Sequence, residues 1–85
     1  MYLIVDVGNS RAKVVVVDGR TVVYQTTTLS LSAEIIEGVV SDYKGITHAI
    51  ISTTRGDGQL LKDLVSAYID SVLLFTPSTT PIPIA

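Results

Sequence analysis

The chain reads as an α/β protein built on one mixed, five-stranded sheet in the order β-β-β-α-β-α-β. Three observations predict this. Two β-branched runs, at 2–7 and 12–17, are split by a short polar turn. An Asp18-Gly19 pair then leads into a third alternating run. Beyond residue 30 the apolar spacing twice takes up the rhythm of a helix, and a further apolar run follows each time.

Each element has its own reason. Tyr2 to Val7 is apolar and β-branched, so it reads as a strand. Gly8-Asn9-Ser10 is turn chemistry, because Gly and Asn tolerate positive φ and Ser can bond its own backbone. Ala12 to Val17 holds four consecutive valines, which suggests a strand covered on both faces. Asp18-Gly19 signals a hairpin into Arg20 to Thr28, where Gln25 and the threonines fit an edge position with one wet face.

Ser30 or Ser32 can cap the first helix. Glu34 suits its first turn, and Ile35, Ile36, Val39, Val40 and Tyr43 line one side before Lys44-Gly45 ends it. Ile46 to Thr53 is again a strand, and Arg55 to Gly58 is a polar break with Asp57 as a cap. Leu60, Leu61, Leu64, Val65 and Tyr68 repeat the helical spacing, which reflects packing on a sheet rather than a sequence repeat. Val72 to Phe75 is the last strand. Right-handed crossovers from a three-stranded meander give a mixed sheet with helices on its faces. The tail from Thr76 to Ala85 carries all three prolines and no charge, and reads as a connector leading to a further element.

Composition excludes several function classes. There are no cysteines, so a disulfide framework and a thiolate zinc site are out, in keeping with a reducing cytosol. The net charge is −2 and the pI about 5.0, without the basic footprint of nucleic-acid binding. The N-terminus meets Asp6 at once and has no positive leader, and no apolar run approaches the roughly 18 residues of a membrane span. The expectation is a soluble, cytoplasmic chain with neither nucleic acid nor membrane as partner. The apolar fraction of 47% is high for 85 residues, which suggests that some of this surface meets a partner or further sequence.

The chemistry concentrates in Asp6-Val7-Gly8-Asn9-Ser10-Arg11-Ala12-Lys13. A carboxylate at the end of an apolar strand is costly to bury unless it is solvated, hydrogen-bonded or bound to a cation. Asp6 therefore reads either as a Mg²⁺ ligand, direct or through water, or as a strand-end acid capping the turn. Gly8 admits close approach of a phosphate or simply a tight turn, and Asn9 and Ser10 offer donors to phosphate or to the turn itself. Lys13 is a compensating charge for phosphate or a solvated strand lysine. Taken together and followed by a second strand, the group favours a nucleotide-phosphate site. Ser52, Thr53 and Thr54 end a strand before a helix, where a phosphate could rest or a cap could form. His48, the single histidine, reads as a packed or rim residue, and Tyr43 and Tyr68 as helix-face contacts.

The element order resembles the ribonuclease H-like half of sugar-kinase and actin-type nucleotide-binding proteins. Met1 to Lys13 resembles the opening of type III pantothenate kinases, whose first phosphate motif has the form Asp-x-Gly-Asn-Ser/Thr-x-x-Lys. Asp6, Gly8, Asn9, Ser10 and Lys13 match it position by position. The likeness continues less specifically through Ala49 to Thr54, where the family commonly has Ser-Ser-Val and this chain has Ser52-Thr53-Thr54. It extends to the threonine-rich stretch before Pro81-Ile82.

The resemblance implies a ribonuclease H-like, actin-type subdomain over residues 1–75 with a connector over 76–85. It implies transfer of the ATP γ-phosphate to pantothenate, the first committed step of coenzyme A synthesis. Mg²⁺, a monovalent cation (K⁺ or NH₄⁺) and a homodimer come with it. By that likeness Asp6 to Lys13 bind ATP phosphates and Asp6 the metal. The family's Gly-x-Asp-Arg motif, with the catalytic base, does not occur in these 85 residues, so no catalytic residue is assigned and they alone are expected to give little turnover. The alternatives are the same segment of another actin-like kinase, and a non-catalytic dimerisation module.

Overall fold

The computed structural model describes residues 1–8, 10–54 and 58–75. The elements run β1 (Tyr2–Val7), β2 (Ala12–Asp18), β3 (Thr21–Thr28), α1 (Ala33–Asp42), β4 (His48–Thr53), α2 (Gly58–Ser66) and β5 (Ser71–Phe75). The sheet order is β3-β2-β1-β4-β5, antiparallel across β1, β2 and β3, and parallel from β1 to β4 to β5. The protein is thus α/β with a mixed five-stranded sheet and two helices, and β3 lies at an edge as its polar composition suggests.

The period of two along the strands sorts the side chains. Leu3, Val5 and Val7 of β1, Ala12, Val14 and Val16 of β2, and Ala49 and Ile51 of β4 face one side. There they join Ile36 and Val39 of α1 and Leu61 and Val65 of α2 in a single core. Both helices therefore cover the same face. This corrects the expectation of helices on both faces and of a β2 buried on both sides: Val15 and Val17 are only half-buried on the opposite face. The reason is topological. Both crossovers step toward β5 with the same hand, so both helices land on one layer. Among the described residues no element covers the other face, which is open and shows Tyr2, Leu73 and Phe75, 46%, 54% and 37% exposed.

Several element ends differ from the sequence reading. Gly19 has φ +63 and is the first of the two residues between the paired Asp18 and Thr21. A glycine with positive φ in that first place is the pattern of a II′ turn, so the loop is Gly19-Arg20 rather than one centred on Asp18-Gly19. Pairing then shifts between Val16 and Val17, where Val23 is the extra residue of a bulge on the edge strand. Helix α1 is capped by Ser32, whose Oγ accepts from the Ile35 amide at 3.4 Å. It stops at Tyr43, whose amide donates to the Val39 carbonyl at 2.9 Å. The cap residue is neither helical nor extended, with φ −122 and ψ 77, and Gly45 has no positive φ. The helix therefore ends just before Lys44-Gly45 and without a left-handed glycine cap, and the Tyr43 ring lies 5.6 Å from that of Tyr24. Asp57, read as a cap, and the connector at 76–85 lie outside the described residues.

These glycines give a paired test. Gly19→Ala is expected to cost about 1–2 kcal/mol of unfolding free energy, the usual penalty for an L side chain in left-handed backbone. Gly45→Ala, whose Cβ would meet only the Met1 side chain at 3.5 Å, is expected to be neutral or slightly stabilising. Urea denaturation of the two variants would separate a true φ requirement from a composition habit; equal costs would overturn it.

Candidate functional site

The motif at 6–13 folds as the β1–β2 hairpin. The Gly8 amide donates to the Arg11 carbonyl at 2.9 Å and ties the end of β1 to the start of β2. Below it Val7 pairs with Ala12, and Asp6 with Lys13. Directly opposed residues of an antiparallel pair project to the same face with their Cβ atoms about 4.5–5.5 Å apart. The carboxylate and the ammonium group therefore share one side of the sheet, the open one, and both residues are exposed.

β4 extends the row. Asp6 is in parallel register with Ser52, and Ser52 with Phe75 of β5, while Lys13 pairs on its other side with Thr27 of β3. Thr27, Lys13, Asp6, Ser52 and Phe75 thus form a line across all five strands near the hairpin end of the open face. A hydroxyl, an ammonium, a carboxylate and a second hydroxyl sit side by side there. Ser52 is a residue whose place beside Asp6 the sequence reading missed. The structure shows why they meet: β1 and β4 share one burial alternation and a parallel register, so the second-to-last residue of each strand takes the same side.

The remaining motif residues divide by role. Val7 and Ala12 point into the core beneath the helices. Ser10 is exposed, and Asn9 lies outside the described residues. Arg11 borders a small cleft of about 100 Å³ with Ser30, Leu31 and Leu61, on the helix-covered side. At the end of β4, Thr53 is buried, and the Thr54 amide donates to the Val7 carbonyl at 3.3 Å. Gly8 and Thr54 amides are thus engaged within the fold. His48 is a rim residue at the other end of the sheet. Its Nδ1 lies 2.8 Å from the Thr47 hydroxyl, and its ring is 5.6 Å from that of Tyr2. Tyr43 contacts the sheet through Tyr24, whereas Tyr68 is exposed beyond α2.

Gly8 carries a further clue. Its backbone has no positive φ, and an added Cβ would meet only the Arg11 carbonyl at 3.7 Å, an ordinary contact. Neither turn geometry nor packing requires glycine there. Among the described residues, then, the hairpin leaves room over Gly8 for a side chain that the sequence does not place there.

Among the described residues no group of three or more His, Cys, Asp or Glu side chains could enclose a metal. The row across the open face contains a single carboxylate, Asp6. Among the described residues, no helix is long and apolar enough to cross a membrane. No protein-family model matches the chain, and no curated protein matches it.

The row on the open face is expected to contribute little to folding. A double-mutant cycle between Asp6→Asn and Lys13→Met should return a coupling of about 0.2–1 kcal/mol, typical of an exposed cross-strand pair. Unfolding midpoints of the four proteins measure it. A coupling of several kcal/mol would mean that the pair serves the fold, with no need of a ligand to explain it.

Proposed function

We propose that the chain supplies the ATP-phosphate-binding segment of a pantothenate kinase with a ribonuclease H-like, actin-type fold. The observation that carries this reading is the register that sets Asp6 opposite Lys13 on an exposed face, with Ser52 alongside. Asp6 is suited to donate one oxygen to Mg²⁺, directly or through water. Lys13 supplies a positive charge for phosphate oxygens, and Ser10 and Ser52 supply hydroxyl donors. Gly8 leaves the hairpin open to close approach. The bound cation would screen phosphate charge as the γ-phosphoryl group moves to the acceptor. Pantothenate as acceptor, the monovalent cation, the cytoplasmic setting and the homodimer rest on likeness to the type III family alone. The base that activates the acceptor is not among these residues.

Calorimetry with Mg²⁺·ATP tests the phosphate site. Asp6→Asn and Lys13→Met should each weaken binding at least tenfold while leaving the circular dichroism unchanged. Gly8→Ala should weaken binding too, yet keep stability or raise it by about 0.4–1 kcal/mol through the unfolded chain. Unaltered affinity in the Asp6 variant would reject its role. Phosphorylation of pantothenate by the full-length protein then tests the acceptor.

A second reading, a non-catalytic dimerisation module, draws on the exposed Tyr2, Leu73 and Phe75 of the open face. Sedimentation separates the two. A dimer indifferent to Mg²⁺·ATP favours the module, and a nucleotide-binding species favours the kinase segment.

A further inference from the structure

Away from the hairpin, an open groove of about 390 Å³ runs between the edge strand β3 and helix α1. Tyr24, Thr26 and Thr28 line one wall, and Glu34, Gly38 and Asp42 the other. The two walls run alongside each other. Thr28 leads into the start of α1, and Tyr24 meets Tyr43 at its end. Among the described residues β3 pairs only with β2, so its outer edge offers backbone donors and acceptors for a further strand. No charged residue guards that edge from Thr21 to Thr28.

The helix wall has a definite chemistry. Glu34, Gly38 and Asp42 follow at i, i+4 and i+8, one stripe about 12 Å long. Gly38 is in mid-helix, where glycine costs about 1 kcal/mol relative to alanine, and nothing lies within 4 Å of a Cβ placed on it. Helix packing therefore gives no reason for glycine at that point. It leaves a gap between two carboxylates. Along an extended chain, residues i and i+4 are about 13 Å apart and face the same side, with i+2 between them.

We infer that this groove receives an extended segment of a partner protein, added to the β3 edge, with basic side chains at i and i+4 against Glu34 and Asp42 and an apolar one at i+2 over Gly38. Main-chain bonds to β3 hold such a segment, and the stripe on α1 selects its side chains. A second copy of this chain fits poorly. Antiparallel pairing of two β3 edges about a twofold axis sets both α1 helices on one side, facing each other. Each carries Glu34, Glu37 and Asp42 and no Lys or Arg, so like charges would meet.

Amide NMR of the labelled chain, titrated with two synthetic β-forming peptides, tests this. One carries Lys-x-Val-x-Lys and the other Glu-x-Val-x-Glu. The lysine peptide should shift amides across 24–28 and 34–42 and leave the hairpin at 8–11 unmoved, while the glutamate peptide should bind at least tenfold more weakly. The double variant Glu34→Lys/Asp42→Lys should reverse that preference, and Gly38→Leu should weaken the lysine peptide. The inference fails if the lysine peptide does not bind saturably at millimolar concentration, if both peptides bind the unaltered chain equally, or if the shifts fall on the open sheet face. The peptide comparison on the unaltered chain decides the matter even if a variant does not fold.

Discussion

Everything in this molecule depends on the register of β1. It is the central strand, antiparallel to β2 on one side and parallel to β4 on the other. Its alternation sends Leu3, Val5 and Val7 into the core and Tyr2, Ile4 and Asp6 to the opposite face. A slip of one residue would exchange those sets, burying a carboxylate and exposing the central apolar ladder. The hydrophobic cost of such a slip holds Asp6 level with Lys13 and Ser52. The candidate site thus inherits its geometry from the core and needs no bonds of its own to keep it.

That division of labour explains why the motif looks stronger in sequence than in isolation it would deserve. Of the residues from Asp6 to Lys13, Val7 and Ala12 serve the core, and Gly8 and Arg11 join through their main chains to close the hairpin. Of the other described residues, Asp6 and Lys13 stand in register on the open face and Ser10 is exposed at the turn. Gly8 stands apart, since the fold tolerates a side chain there that the chain does not carry.

Much of the fold was legible because the strands and helices follow different apolar periods. The run at 2–7 and the helical spacing from Ile35 to Tyr43 need no tertiary knowledge to be read. Helix ends and turn registers were less so. Helix α1 ends at Tyr43, whose ring packs near Tyr24 from another element, whereas local propensity had favoured a stop at Gly45. The valines of β2 could not reveal that one of their faces stays open, because a β-branched strand looks alike half-covered or fully covered. Within the site, Asp6 and Lys13 were visible from their spacing about the turn. Ser52 was not, because a parallel register joins residues that no local pattern connects.

The two kinds of pairing also differ in what they ask of the chain as it folds. β1, β2 and β3 meet through short connections, whereas β1 reaches β4 only after the whole of α1 has been made. Closing the longer loop costs more entropy and defers its reward. On loop-closure entropy alone, the acid therefore meets the base at lower cost, across the hairpin, than it meets the serine across the connection through α1.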